Sequence, residues 1–320
     1  MFMACSFVIV GLAMLIGGAE YLVRGSVAIA SKLKVPTLMI GLTIVALGTS
    51  IPEFMVSVQS ALQGNAGISV GNVIGSNIAN ILLVLAASSL INPISCKAKV
   101  FYRDFSFLGI TTLIFSFFCT RGELVRWNGW VLLLFLFWFM FYSFYNSRHD
   151  PRSGDKIPSQ LTGKSWKNIL LVTIAGLIAV AYGTDFFVDG AVEIAKIMGV
   201  SEAVIGVTIV AVGTSLPELA TSCVAAYRRQ NGIALGNVVG SNIWNILFIM
   251  GTTVAITDVN VSTQFVIFDV WVMLFASFML LPIMMFKHRI TRLEGFFMLT
   301  CYGLYIYALT LISMGNWVIS

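Results

Sequence analysis

Apolar residues run through this chain in blocks of membrane-crossing length, without the regular polar face of a helix that lies half in water. Such blocks lie near residues 4–27, 37–62, 68–92, 105–119 and 127–145, and a second series near 168–195, 203–226, 233–256, 265–286 and 295–315. Most reach or exceed the ~20 residues that cross ~30 Å of hydrocarbon as an α-helix, where the backbone must satisfy its own hydrogen bonds. The pattern predicts an all-α polytopic membrane protein of ten transmembrane helices, with the block at 105–119 the shortest. The opening "MFMACSFVIVGLAML" has neither a basic start nor a small-residue cleavage pattern, so a retained first helix is expected.

Composition agrees: 58% of residues are hydrophobic and 10% charged, more apolar surface than a soluble fold hides. Lys and Arg cluster around 32–34, 97–103, 148–167, 228–229 and 287–292, whereas the alternate loops hold only Arg121, Arg126 and Lys196. By the positive-inside bias, both termini are expected outside and the central loop in the cytoplasm of a cell (inner) membrane. This asymmetry accounts for the net charge of +5 and leaves no basic domain for nucleic acid.

One block is interrupted. Residues 48–53 read "GTSIPE" inside "TLMIGLTIVALGTSIPEFMVSVQSAL", placing a helix breaker and a carboxylate at mid-membrane depth. The segment recurs as "GTSLPE" at 213–218. At the same offset of 165 residues, "GNVIGSNIANILL" from 71 pairs with "GNVVGSNIWNILF" from 236, and "GGAEYLVRG" from 17 with "YGTDFFVDG" from 182. The chain is an internal duplication, which predicts a first five-helix repeat at 1–145, a short loop at 146–167 and a second five-helix repeat at 168–320. Five is odd, so the second unit starts from the opposite face and the two repeats are inverted. Their equivalent helices are expected to meet near the bilayer midplane.

The prolines then have a use. Pro52 and Pro217 lack an N–H, which frees the carbonyls of Gly48 and Gly213. Thr49, Ser50 and Glu53 can face one spot beside the break, as can Thr214, Ser215 and Glu218. On the following helix Asn72, Ser76 and Asn80 recur every four residues, and Asn237, Ser241 and Asn245 repeat the stripe. Gly71 and Gly75, with Gly236 and Gly240, give G-x-x-x-G faces suited to close helix contact. Carboxylate, hydroxyl, amide and carbonyl oxygens suit calcium or an alkali cation; zinc or copper would want His and Cys. The five cysteines stand singly and both histidines fall in charged loops, so neither a disulfide framework nor a soft-metal site is expected. Two ionised glutamates carry a charge that one Ca²⁺ or two monovalent ions would neutralise, which suggests competition between them. Taken singly, the hydroxyls could be helix-packing groups and the prolines tolerated kinks. Unpaired mid-membrane carboxylates are too costly for that reading. Glu20 and Arg24, spaced i,i+4, are expected to neutralise each other, and Asp185 and Asp189 stand in their place in the second repeat.

The paired "GTSIPE"/"GTSLPE" and "GNVIGSNIAN"/"GNVVGSNIWN" segments resemble the two alpha-repeats of the calcium/cation antiporter superfamily, and among its members the prokaryotic sodium/calcium exchanger-like proteins. The resemblance implies that Thr49, Ser50, Glu53, Ser76, Asn80, Thr214, Ser215, Glu218, Ser241 and Asn245 coordinate the transported ion, and that the helices near 4–27 and 168–195 slide past the core as gates. Many exchangers carry an aspartate where Asn80 and Asn245 stand, so this site has two carboxylates and no third, which leaves coupling ion and stoichiometry open.

The expected function is secondary active antiport of Ca²⁺ against Na⁺ by alternating access, with Ca²⁺/H⁺ antiport through the same two glutamates as the alternative. No cofactor is expected, the partners being Ca²⁺, Na⁺ or H⁺ and the lipid bilayer, with neither nucleic acid nor a protein partner. An intramembrane hydrolase lacks H-E-x-x-H and a nucleophile arrangement. A passive channel would conduct without coupling.

Overall fold

The computed structural model describes residues 1–95, 98–148, 161, 163–198 and 211–313, and they are overwhelmingly helical. Helix α1 (Phe2–Leu33) leads into α2 (Thr37–Thr49) and α3 (Ile51–Leu62), then α4 (Gly67–Ile91), α5 (Ala98–Cys119) and α6 (Arg126–Arg148). The second series is α7 (Trp166–Ile197), the short α8 (Ala211–Gly213), α9 (Leu216–Tyr227), α10 (Asn231–Ile256), α11 (Phe265–Ile283) and α12 (Arg292–Ser313). Among the described residues seven helices are long and apolar enough to cross a membrane, or eight if the α2–α3 pair is one bent span. The 105–119 block forms a shorter apolar helix. Cys96, Lys97, His149, Arg152, Lys156 and residues 199–210, which hold the start of the predicted seventh helix, lie outside the described residues.

The repeat is visible in local structure as well as in letters. Helix α3 starts at Ile51 and α9 at Leu216, each with its proline in the first turn, and Asn80–Leu85 and Asn245–Met250 both widen into a π-helical turn. Such turns leave backbone groups out of the α-helical ladder and tend to mark functional sites. Two short antiparallel bridges tie the repeats together: Ile94–Ser95 (β1) with Arg289–Ile290 (β4), and Glu123–Leu124 (β2) with Val259–Asn260 (β3).

Helices α1 and α7 form a long antiparallel pair. Gly11, Gly18 and Gly25 recur every seven residues on α1, and Gly176, Gly183 and Gly190 repeat them on α7. A Cβ at Gly18 would lie 2.8 Å from the Gly176 carbonyl oxygen, and one at Gly183 would lie 3.0 Å from that of Gly11. The two backbones touch directly, as small-residue seams allow. Beside this pair, α4 and α10 are the most enclosed spans. Protein surrounds them on most sides, which lets them enclose polar side chains that lipid would not accept.

A candidate cation site between the repeats

The two glutamates are held by the breaks that precede them. Ser50 leaves helical geometry between α2 and α3, and the axis bends by 46° there. Pro52 therefore sits in the first turn of a new helix, where a missing N–H is tolerated, and Glu53 follows it into the interior. Ser215 and Pro217 place Glu218 in the same way at the start of α9. Both glutamates are fully buried.

Helices α4 and α10 cross next to them. Asn242 Nδ2 donates to the Asn77 carbonyl at 3.3 Å, joining two residues related by the repeat. One residue before each lies Ser76 or Ser241, and three residues beyond lies Asn80 or Asn245, so the predicted stripes of both repeats flank one crossing. Ser241 Oγ donates to Glu218 Oε1 at 3.3 Å, and Ser50 Oγ, from the other repeat, donates to the same oxygen at 3.0 Å. Asn80, Asn245, Ser215 and Ser76 are buried; Thr49 is buried and Thr214 is half-buried, so every residue predicted for the site lies beside one of the two breaks or on the crossing.

Much of this polar surface is unsatisfied. Both carboxylate oxygens of Glu53, Oε2 of Glu218, both amide atoms of Asn80 and of Asn245, and Ser215 Oγ are sealed from solvent without a hydrogen-bond partner. Each such group is costly to bury unless something compensates it, and their number in one place is far above what a folded interior carries. The oxygens among them form a hard donor set fitted to a Group 1 or Group 2 cation. Among the described residues no group of three or more His, Cys, Asp and Glu side chains gathers.

The structure adds residues that spacing did not single out. Asn72, read from the sequence as part of the stripe, directs its amide to the α3 backbone: Nδ2 donates to the Glu53 carbonyl at 3.2 Å and to Ser57 Oγ at 2.9 Å. Asn237 does the same on α9, to the Glu218 carbonyl at 3.4 Å and Ser222 Oγ at 3.0 Å. The serines stand four residues after each glutamate, a repeat-related signal present in the sequence. Trp244, without a counterpart in the first repeat, donates Nε1 to the Leu42 carbonyl at 2.9 Å, inside the π-helical turn Gly41–Val45.

The glycine face of α10 is tightly packed. A Cβ at Gly236 would lie 2.5 Å from the Leu38 carbonyl and one at Gly240 2.7 Å from the Ala46 Cβ, so α10 is packed tightly on α2. The repeat equivalents of Leu38, Gly41 and Leu42 lie outside the described residues; on α4 a Cβ at Gly71 would lie 2.9 Å from the Phe265 ring, and one at Gly75 meets no described atom within 4 Å. A cleft of about 690 Å³ runs there, from Asn65 and Ile68 past Asn72 to Ser76 and Thr214.

Comparison with known proteins agrees with this arrangement. The chain matches the profile of the family described as sodium/calcium exchanger protein over residues 3–145 and 168–311. It is 37% identical to a putative antiporter, CaxA, of Alkalimonas amylolytica, covering 97% of this chain and 99% of that one. It is 31% identical to the sodium/calcium exchanger MaX1 of Methanosarcina acetivorans, covering 94% and 97%. Among solved structures, the sodium-calcium exchanger NCX_Mj soaked with 2.5 mM Na⁺ and 0.1 mM Ca²⁺ superposes with a TM-score of 0.82 at 32% identity, covering 96% of this chain and 98% of that one.

Proposed function

The chain belongs to the sodium/calcium exchanger protein family of integral membrane transporters, and from that premise we propose that it exchanges Ca²⁺ for Na⁺ by alternating access at one site between two inverted repeats. The observation that carries this reading is the set of buried oxygens without partners, contributed by both repeats around one helix crossing. In this reading Glu53 and Glu218 supply the charge. Thr49, Ser50, Ser76, Asn80 and their repeat-related partners Thr214, Ser215, Ser241 and Asn245 complete the coordination sphere of a dehydrated ion. The same oxygens serve Na⁺, so the two ions occupy the site in turn.

The architecture follows the duplication: ten transmembrane helices, five at 1–145 and five at 168–320, joined by the cytoplasmic loop 146–167, with both termini outside the cell (inner) membrane. On that orientation Asn65 lies outside, and the cleft that passes Asn72 to reach Ser76 and Thr214 is the outward access route. The tight α2–α10 contact is then the closed inward route.

Ca²⁺/H⁺ antiport is the second reading, favoured by one observation: Asn80 and Asn245 put amides where a third carboxylate could stand, and Glu53 has two unpartnered oxygens able to receive a proton. Proteoliposomes holding the purified chain decide between them. Ca²⁺ uptake driven by an outward Na⁺ gradient at equal pH supports sodium coupling. Uptake that follows only a pH gradient replaces it with proton coupling, and Ca²⁺ flux indifferent to both gradients overturns antiport altogether.

A further inference from the structure

Asn72 and Asn237 are related by the repeat, and each fixes its amide nitrogen in the same way, to the carbonyl of the site glutamate and the hydroxyl of the serine one turn on. Their carbonyl ends differ. Asn237 Oδ1 accepts a hydrogen bond from Thr49 Oγ1 at 3.1 Å, which joins the break in the first repeat to α10 in the second. The mirror contact would be Thr214 to Asn72. No hydrogen bond joins these two, and both line the open cleft.

The difference coincides with where the cleft lies. Where Thr49 and Asn237 are bonded, α10 presses Gly236 and Gly240 against α2; where Thr214 and Asn72 are not, both stand on the wall of the cleft of about 690 Å³. We propose that Thr49–Asn237 and Thr214–Asn72 are reciprocal latches, one made on whichever side of the site is shut and broken on the side that is open. The proposal rests on the alternating-access reading. It assigns to Asn72 and Asn237 a positioning role: each locates its glutamate through the nitrogen and senses the closing threonine of the other repeat through the oxygen. An amide suits both tasks, since it offers donors and an acceptor on separate atoms of one rigid plane, whereas a serine hydroxyl would have to serve both from a single atom and alanine offers neither.

The test reads accessibility in ion-free buffer, where the loss of an ion ligand has no effect. In a full-length background without native cysteines, one reporter cysteine replaces Val56, which lines the cleft, and in a second protein another replaces its repeat equivalent Thr221, which is fully buried. Labelling rates with a membrane-impermeant thiol reagent are followed on each side of the bilayer. Thr49→Val removes the hydroxyl and keeps the shape, so the Thr221→Cys reporter should react about five-fold faster and the Val56→Cys reporter correspondingly slower, the equilibrium change of one neutral hydrogen bond. Thr214→Val should move both rates the opposite way, and Thr49→Ser, which keeps the hydroxyl, should match the parent. Shifts of the same sign in both valine variants, or none in either, overturn the latch while leaving antiport intact if the parent's two reporters still react alternately as Na⁺ and Ca²⁺ are varied. A parent in which both react together, or in which neither responds to ions, overturns the antiporter reading and the latch with it.

Discussion

Glu20 on α1 and Arg228, just past the end of α9, stand 208 residues apart and meet as a two-pronged ion pair, with Nε 2.8 Å from Oε2 and the terminal nitrogen Nη2 2.8 Å from Oε1. Arg24, one turn along α1, donates to the same carboxylate. The equivalent positions in the other half are Asp185, Asp189 and Gln63, so the second repeat has no corresponding pair. The ion pair joins α1 to the end of α9, on which Leu15 and Ala19 also pack through Leu216 and Ala220. Replacing Glu20 by Gln should lower the unfolding temperature of the purified protein in low salt, and the difference from the parent should shrink in high salt as screening removes the pair's contribution. Equal unfolding temperatures in low salt would mean that the pair holds nothing.

Glu53→Gln and Glu218→Gln keep volume and burial and remove one charge each. Neither should unfold the protein, because Glu53 has no hydrogen-bond partner to lose and Glu218 can still accept through its amide oxygen. A dehydrated divalent ion, however, loses half its counter-charge. We expect apparent Ca²⁺ affinity to fall about 100-fold or more, on the order of 3 kcal/mol, in isothermal titration with protein whose helical circular dichroism matches the parent. Ca²⁺ binding of parental strength in either variant contradicts a shared site.

Sidedness is tested by single cysteines at Ser31, exposed near the end of α1, and at Asn65, exposed at the α3–α4 turn. In a background lacking the native cysteines, an impermeant maleimide should label Asn65→Cys from outside intact cells and Ser31→Cys only after the cytoplasmic face is opened. The reverse pattern inverts the assigned orientation.

Asn245 has both amide atoms buried and unpartnered, so Asn245→Asp inserts a third carboxyl group without breaking a contact. At low pH, where the new group is protonated, Ca²⁺ transport should resemble the parent. As pH rises and it ionises, cations should be held more tightly and turnover should slow, from added charge in a water-poor site. Superimposable pH profiles for variant and parent would place Asn245 away from the ion.

The glycines make a paired prediction. Gly240→Ala drives a Cβ against Ala46 and Leu42, with contacts at 2.7 Å, and should destabilise by roughly 1–3 kcal/mol as an overpacked core does. Gly75→Ala meets nothing described within 4 Å and should melt with the parent. It should still slow Ca²⁺ exchange, because α4 must take up the packing of α10 when access reverses. A Gly75→Ala protein that exchanges at the parental rate would show that this face never closes.

The spans and the duplication were legible in the sequence for a physical reason. Hydrocarbon admits only long apolar helices, and a duplicated sequence shows itself as matching segments at one constant offset. The buried polar residues beside the breaks stood out in the sequence because polar groups inside apolar blocks have few other uses. Other features depend on which residues meet across the repeats, and a one-dimensional pattern does not carry that. Glu20 was expected to pair with Arg24 and does, but Arg228 arrives from the other repeat. Asn72 and Ser76 read as one stripe at four-residue spacing, whereas Asn72 is turned to the α3 backbone.

The short strand bridges bear on how such a chain could have arisen. Ile94 pairs with Ile290 and Leu124 with Val259, so every bridge has one strand from each half. Val259 stands 165 residues after Ile94, the spacing of the duplication itself, so the two bridges are near copies related by the repeat axis. A half on its own would carry two strand edges with nothing to pair against. Two halves made as separate polypeptides would each complete the other, in the manner of a dimer whose two chains were later joined into one.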